Sequence, residues 1–258
     1  MAHRIGIAGI TGRMGQLLAE EVPAAGAVLA GGVGQAGSAK PAPAGVTVPP
    51  DLTALAALSD VVIDFTHASA ASTAAATMAR SGKAWVLGTS GLSAADEAAV
   101  EAAARSIPIV YASNFSAGVN LVLALCERMG AALPADSYDA EIMEMHHRQK
   151  VDAPSGTAVG MGRAVAKGRG QKLEHVMVSG RHGHTGARET GAIGFAALRG
   201  GQVVGEHTLI FASATEHIAL THRAFDRRAF ASGAVRAALW VVGKPPGLYS
   251  MMDVLGMT

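Results

Sequence analysis

A glycine-rich turn near the start of the sequence constrains the fold most strongly. Arg4–Ala8 has the β-branched composition of a strand, and the apolar spacing over Met14–Ala25 predicts a helix. Gly9, Gly12 and Gly15 lie at the junction. Glycines there allow a tight turn and a close helix–strand contact, and the helix N-terminus offers its amides to a pyrophosphate. The spacing G-x-x-G-x-x-G is looser than G-x-G-x-x-G, so a plain turn without a nucleotide stays the alternative.

The alternation of strand and helix signals continues to residue 112, which predicts a parallel sheet with helices on both faces. Ser93 is the expected N-cap of one of these helices. The further predicted strands are Ala27–Val33, Val61–Phe65, Ala84–Gly88 and Ile107–Ala112, and the helices are Ser69–Ser81 and Ala94–Arg105.

The pattern changes after Asn114, where half-buried strands dominate and predict a mixed or antiparallel sheet. A final amphipathic helix over Arg228–Val242 is expected to pack back on the first sheet. The prediction is therefore an α/β parallel-sheet domain of residues 1–116 and 227–258, with an α+β domain inserted over 117–226. Within the insert, we expect helices over Val119–Met129 and Ser155–Lys167, and strands over Tyr138–His146, His175–Gly180, Gly191–Leu198, Val203–Ala212 and His217–Thr221.

Composition excludes several classes of protein. Half of the residues are hydrophobic and the formal net charge is +1, so the chain is not a disordered polymer, and a single cysteine excludes a disulfide scaffold. The balance of 21 basic and 20 acidic residues argues against nucleic-acid and membrane-surface partners. The apolar run Ile5–Ile10 is too short for a secretory signal. The charge-free stretch Ile107–Cys126 is not expected to span a membrane, because it contains Pro and Asn residues. We expect a cytoplasmic protein.

The densest polar cluster is the segment EMHHRQKVDAPSGTA, from Glu144 to Ala158. It begins at the end of a predicted strand, so His146 and His147 should point to different sides. Lys150 follows in a loop. A histidine there is suited to proton transfer near neutral pH, and the lysine supplies a cation for an anionic substrate.

The second half of that cluster begins a helix. Ser155 is the expected N-cap, and the amides of Gly156 and Thr157 would form an anion seat suited to a carboxylate.

Three other interpretations fit the same cluster. His146 and His147 with His182 and His184 suggest a zinc site, although thiols and an H-x-x-x-H helix are missing. Ser155 with a histidine and Asp152 suggests a hydrolase triad, although no G-x-S-x-G elbow is present. The third is a capped helix beside a solvated loop that does no chemistry.

Seven motifs together resemble the 4-hydroxy-tetrahydrodipicolinate reductase (dihydrodipicolinate reductase) family of bacterial lysine and diaminopimelate biosynthesis. The resemblance runs in order through essentially the whole chain. The motifs are GITGRMG at Gly9–Gly15, GTSGL at Gly88–Leu92, NFSAGVN at Asn114–Asn120, HHRQKVDAPSGTA at His146–Ala158, GHTG at Gly183–Gly186, GEHT at Gly205–Thr208 and GAVRAALW at Gly233–Trp240.

The resemblance implies a Rossmann-type nucleotide domain completed by the C-terminal helix, and an inserted domain that binds a small dicarboxylate substrate and forms a homotetramer. NADH or NADPH would deliver hydride to C4 of a cyclic imine, and no metal is implied. His146 resembles the family's proton donor or acceptor and Lys150 its second acid. The resemblance makes His147 a substrate contact and places Ser155, Gly156 and Thr157 at the carboxylate seat.

The cofactor-binding residues implied by the resemblance lie in three segments. They are Gly9, Ile10, Thr11, Gly12, Arg13 and Met14 at the pyrophosphate, with Gly88, Thr89 and Ser90 and then Ala112, Ser113, Asn114 and Phe115 on the nicotinamide side.

Two departures from the family pattern concern the cofactor. Gly34 and Gln35 stand where an acid, sometimes followed by arginine, reads the 2′ position of the adenosine ribose, so NADH or NADPH preference is open. His67 stands where arginine is frequent. The functional alternatives are a reductase of another cyclic imine acid with the same fold, and a non-catalytic regulator that senses nicotinamide nucleotides.

Overall fold

The computed structural model describes residues 2–34 and 40–258. Within them the strands are, in chain order, β1 (Arg4–Ala8), β2 (Val28–Val33), β3 (Val61–Asp64), β4 (Ala84–Leu87), β5 (Pro108–Tyr111), β6 (Asp139–His146), β7 (Met177–Ser179), β8 (Ile193–Arg199), β9 (Gly205–Ala212), β10 (His217–Ala224) and β11 (Gly247–Tyr249). The α-helices are α1 (Arg13–Ala24), α2 (Leu52–Leu58), α3 (Ala71–Ser81), α4 (Ala94–Ala104), α5 (Ala117–Ala132), α6 (Gly156–Gly168), α7 (Leu173–Val176), α8 (Arg228–Val241) and α9 (Met251–Leu255).

The chain divides into two compact units. The first comprises Met1–Ala117 with Arg228–Thr258, and the second comprises Gly118–Arg227. These bounds lie one residue from those expected on sequence.

The first unit is built on a parallel sheet with the strand order β11-β5-β4-β3-β1-β2. Its inner strands β3 and β4 are buried on both faces, as parallel strands are when helices cover each side. Helices α1 and α8 pack on one face, and α2, α3 and α4 pack on the other. Because every strand runs in the same direction, the carboxyl ends of β1, β3, β4 and β5 lie at one edge.

Helix α8 completes the core of this unit. Ala231, Ala234, Ala237, Ala238 and Val241 are buried against the face of the sheet that α1 also covers. These small side chains let the helix approach the strands closely. The expectation that the last predicted helix packs on the first sheet is confirmed.

The second unit is built on a mixed sheet with the order β10-β9-β6-β8-β7. Strand β6 pairs with β8 in parallel and with β9 antiparallel. Residues from α5 and α6 pack on one face, where Ile142, Phe195 and Leu209 join their core. The predicted α/β class, with a Rossmann-type parallel sheet and a second mixed sheet, is confirmed.

Two predictions about the strands fail. Leu173–Val176, at the start of the predicted strand His175–Gly180, is a helical turn whose buried Leu173 anchors it in the core, and only Met177–Ser179 pairs as a strand. The sheet series also does not end near Ala112, because Gly247–Tyr249 pairs in parallel with β5. None of the helices in the described part of the chain is both long and apolar enough to cross a membrane.

Candidate active site

The glycine-rich turn after β1 has the geometry that its sequence predicts. Gly9 has φ +88°, in the left-handed region that favours glycine, and the amides of Gly9 and Ile10 both donate to the carbonyl of Val33 at 2.9 and 3.0 Å. A Cβ on Gly15 would overlap the carbonyl oxygen of Gly9. Helix α1 therefore begins directly against the end of β1.

The N-terminus of α1 is open to an anion. Gly12 is the N-cap and supplies no side-chain cap, and the first turn contains no acidic residue. The amides of Arg13, Met14 and Gly15 have no partner within the helix, since Gln16 is the first to donate to Gly12. Thr11 and Met14 are half-buried and Arg13 is exposed. The residues present fit the pyrophosphate of a nicotinamide dinucleotide.

The remaining predicted cofactor residues follow β4 and β5, at the same edge of the sheet as the turn. The Gly88 amide donates to Asp64 at 2.8 Å, the Thr89 hydroxyl donates to the carbonyl of Thr66 at 3.1 Å, and the Ala112 amide donates to Leu87 at 3.3 Å. Ser90 and Ser113 are exposed, Asn114 Oδ1 accepts from the Ser116 amide, and Phe115 is buried.

Sequence reasoning missed the residues that follow β3. Phe65 contacts Phe115 edge to face, with 5.6 Å between ring centroids, and a Cβ on Gly88 would overlap the Phe65 ring. Burial raises the pKa of Asp64, whose carboxylate accepts from the Thr66 amide and hydroxyl. The sequence feature that could have identified these residues is the position of Asp64, Phe65 and Thr66 at the carboxyl end of a predicted strand.

The departures from the family pattern fall partly within the described residues. His67 is exposed, and Gly34 lies against the Thr11 side chain. Gln35 lies outside the described residues.

In the second unit, strand pairing assembles the polar cluster. His146 ends β6 and is in register with Arg199 at the end of the parallel strand β8. His207, on the antiparallel strand β9, is opposite Glu144. The even-numbered side chains of β6 share the face covered by helices, so Glu144 and His146 are both buried.

A buried carboxylate lies at the centre of this cluster. Glu144 is 1% exposed, and its Oε2 lies 2.6 Å from Nδ1 of His146. Arg199 donates to both carboxylate oxygens at 2.8 Å. Burial would raise the pKa of Glu144, but the hydrogen bonds from Arg199 and His146 hold it below its usual range. Burial lowers the pKa of His146, against the opposing effect of Glu144.

Lys150 is paired with Asp152 in the loop that follows. Its Nζ donates to the two carboxylate oxygens at 2.7 and 2.9 Å, and this contact holds the pKa of Asp152 below its usual range. The Lys150 side chain is only 20% exposed, whereas that of Asp152 is 57% exposed.

The start of α6 matches its prediction. The Ser155 hydroxyl caps the helix by accepting from the Ala158 amide at 3.2 Å. The amides of Gly156 and Thr157 precede the first intrahelical bond, which Val159 donates to Ser155. Gly156 is exposed and Thr157 is half-buried, so these amides are placed to bind an anion.

The two histidines differ as alternation predicts. His146 is buried and hydrogen-bonded, whereas His147 is half-buried and its buried Nδ1 has no hydrogen-bond partner among the described residues. A polar ligand could satisfy that atom.

The structure does not favour the alternative interpretations. Ser155 Oγ does lie 2.8 Å from Nε2 of His207, but it is buried and acts as a helix cap, and Asp152 binds Lys150 instead of a histidine. Across residues 2–34 and 40–258, no group of three or more His, Cys, Asp or Glu residues is arranged to hold a metal ion.

Sequence reasoning did not assign roles to Arg199 and His207. Both come from strands far from residue 146 in sequence, and only the register of the sheet brings them there. A signal existed for His207, because it alternates with Leu209 and Phe211 and so occupies a core-facing position.

The buried His207 makes stability depend on pH. Burial lowers its pKa to about 4, so the unfolded chain binds a proton at higher pH than the folded chain does. Stability should fall as pH decreases from 6.5 towards 4, by on the order of 3 kcal/mol from this residue. We expect the Tm of His207→Gln to fall less over this range than that of the wild type, while the exposed His175→Gln control retains the wild-type slope. Equal slopes for wild type and His207→Gln would contradict this.

Comparison with known proteins covers nearly the whole chain. The family model described as "Dihydrodipicolinate reductase, N-terminus" matches residues 3–115, and "Dihydrodipicolinate reductase, C-terminus" matches residues 118–255.

Curated relatives named 4-hydroxy-tetrahydrodipicolinate reductase are similar over the same length. The chain is 68% identical to that of Granulibacter bethesdensis, with 98% of this chain and 97% of the relative covered. It is 62% identical to that of Acidiphilium cryptum, with 98% of each covered. A solved structure, dipicolinate-bound dihydrodipicolinate reductase from Paenisporosarcina sp. TG-14, is 25% identical with a TM-score of 0.80, covering 98% of this chain and 99% of that chain.

These findings confirm the resemblance stated on sequence and the prediction of an NAD(P)H-dependent oxidoreductase. The family uses NADH or NADPH, in agreement with the open N-terminus of α1. The chain belongs to the dihydrodipicolinate reductase family.

Proposed function

We propose that this chain reduces 4-hydroxy-tetrahydrodipicolinate, or the dihydrodipicolinate formed from it, to tetrahydrodipicolinate in bacterial lysine and diaminopimelate biosynthesis. The observation that carries the proposal is that one buried carboxylate, Glu144, binds both the His146 ring and the Ser155 amide at the start of α6. A proton-transfer group and an anion-binding helix N-terminus are therefore held together. Membership of the family supports the same reaction.

The first unit is assigned to the nucleotide. Gly9, Gly12 and the first amides of α1 would bind the pyrophosphate, and the segments after β4 and β5 would line the nicotinamide side. NADH or NADPH supplies a hydride when bound. The protein's own contribution there is to bind and orient the nucleotide.

The second unit is assigned to the substrate, a dicarboxylate. A relative of this chain has been solved with dipicolinate, which carries two carboxylates. Here the amides of Gly156 and Thr157 and the unpartnered Nδ1 of His147 would bind a carboxylate. Asp152 already presents a carboxylate to Lys150, and we infer that a substrate carboxylate competes for the same ammonium.

Hydride addition at C4 of a conjugated imine leaves enamine-like charge on the substrate ring, which then takes up a proton. His146 and Lys150 are the groups assigned to this transfer. Because Nδ1 of His146 is bound to Glu144, its Nε2 is the ring nitrogen left to take up a proton from solvent and pass it to the substrate. Lys150 is the second acid: it can supply the single net proton that the reduction requires, and its ammonium also stabilises the developing charge.

We also propose that the chain forms a homotetramer through the second unit. The face of the mixed sheet opposite α6 has exposed apolar side chains, with Met143 44% and Leu198 45% exposed. The cytoplasmic location stays a prediction from sequence.

Turnover with both nucleotides tests the proposed function. We expect the purified chain, supplied with synthase-generated substrate, to oxidise NADH and NADPH with efficiencies within roughly a hundredfold, about 2.7 kcal/mol, because the usual acid and arginine are missing near Gly34. A larger preference would show that another residue reads the 2′ position. No oxidation of either nucleotide would refute the proposed reaction. Tight binding of the nucleotide without turnover would support the regulator. Turnover of a different cyclic imine acid alone would support the related reductase.

Substitution of the proton-transfer residues should lower kcat. We expect His146→Gln and Lys150→Met each to reduce it by about 10²–10⁴, the usual contribution of general acid–base catalysis. His175→Gln and Lys167→Met, at exposed positions of the same unit, are matched controls and should retain wild-type rates. Wild-type kcat in both His146→Gln and Lys150→Met would remove the assignment.

The mass in solution tests the oligomer. Light scattering should give four times the chain mass of 26.1 kDa, and Met143→Arg should lower it because a charge would be placed on the apolar face. Val48→Arg, at an exposed position of the first unit, should leave the mass unchanged. A monomeric wild type at micromolar concentration would overturn the proposal.

A further inference from the structure

We infer that Glu144 is a positioning residue for the reaction: it fixes the tautomer and orientation of His146 and ties that ring to the start of α6. This inference rests on the proposed function, but it concerns the state of the imidazole, which can be measured without turnover.

Glu144 lies where a carboxylate is costly. Along β6 it alternates with Met143 and Met145 and shares the buried face with Ala140 and Ile142, which belong to the hydrophobic core of the second unit. An ionised group at such a position is tolerated only when hydrogen bonds and counter-charges replace water.

Four donors satisfy this carboxylate. Oε1 accepts from Arg199 at 2.8 Å and from the Ser155 amide at 3.1 Å. Oε2 accepts from the second Arg199 nitrogen at 2.8 Å and lies 2.6 Å from Nδ1 of His146. A carboxylate has about four acceptor positions, so all of them are in use.

The tautomer of His146 follows from this count. An ionised carboxylate can only accept, so Nδ1 of His146 must carry the hydrogen in the contact. Neutral His146 therefore has its free lone pair on Nε2, which is the only ring nitrogen left for proton exchange with a substrate. Gly205 leaves room beside it, because a Cβ on that residue would lie 3.0 Å from Nε2.

The same carboxylate also sets the position of the anion seat. It binds the amide of Ser155, whose hydroxyl caps α6 through the Ala158 amide. Arg199 extends the connection, since it donates to the carbonyl of Asp152 at 2.6 Å, and the Asp152 side chain binds Lys150. The groups assigned to proton transfer and to carboxylate binding thus share one anchor.

The charges around His146 give the direction of the effect. Glu144 on β6 is the only anion in direct contact with the ring among the described residues, whereas Arg199 on β8 and Lys150 in the following loop are cations. His207 on β9 contacts the ring edge to face, with 5.0 Å between centroids, and His222 on β10 acts electrostatically on His207. Without the negative charge of Glu144, both cations oppose protonation of His146, and its pKa should fall.

Glu144→Gln tests the inference, because the amide oxygen can still accept from Nδ1 but the charge is lost. We expect the pKa of His146, followed by NMR and assigned with His146→Gln, to fall below the wild-type value. We expect kcat to fall about 10- to 100-fold, as is usual when the hydrogen-bond partner of a functional group is changed, and the corresponding inflection of the pH profile to move to lower pH. An unchanged pKa and pH profile would overturn the inference.

Glu141→Gln is the matched control. Glu141 is on the same strand with its side chain on the opposite face, and it also binds arginines, Arg181 and Arg188. The pKa of His146 and the pH profile should stay at wild-type values in this variant.

The wild type provides a test that does not depend on folding of a variant. Long-range ¹H–¹⁵N correlation should show the hydrogen of neutral His146 on Nδ1, and a hydrogen on Nε2 would overturn the inference. If the wild type shows the expected tautomer but turns over no substrate, the proposed function fails and the role of Glu144 in fixing the ring stands.

Discussion

The second unit depends on one buried carboxylate that is fully hydrogen-bonded. Glu144 binds a histidine, an arginine and a backbone amide that come from β6, β8 and the start of α6. A buried polar group without a hydrogen-bond partner destabilises the folded state. Removing one member of this cluster would therefore leave the groups that it binds without a hydrogen-bond partner. Glu144 itself is buried, and the exposed Gly156 and half-buried Thr157 lie beside it at the start of the helix.

The first unit is organised by a geometric constraint instead of a charge. Its strands are parallel, so the loops that follow β1, β3, β4 and β5 all emerge at one edge. Close contacts at that edge require residues without side chains, as at Gly15 against Gly9 and at Gly88 against the Phe65 ring. The proposed function has backbone amides bind the nucleotide there, which agrees with the near balance of acidic and basic residues in the chain.

Local signals predicted those parts of the fold that local chemistry determines. Ser93 and Ser155 cap their helices as expected, and the glycine turn adopts the predicted geometry. Parts that depend on distant pairing were not predictable in this way. Gly247–Tyr249 has no strand pattern and is a strand only because β5 offers it a partner. Arg199 and His207 reach the cluster only through the register of β6 with its two neighbours, which no spacing in the sequence specifies.

The discontinuity of the first unit has a consequence for synthesis on the ribosome. Chains emerge from the N-terminus, and contiguous domains tend to fold as they appear. Gly118–Arg227 can close its own core as soon as it has emerged, but the earlier sheet must wait for α8 and β11. Until then the face formed by Ile5, Ile63 and Val86 is covered by α1 but lacks α8, so part of its apolar surface stays uncovered. The N-terminal part of the first unit is therefore synthesised first but completes its fold last.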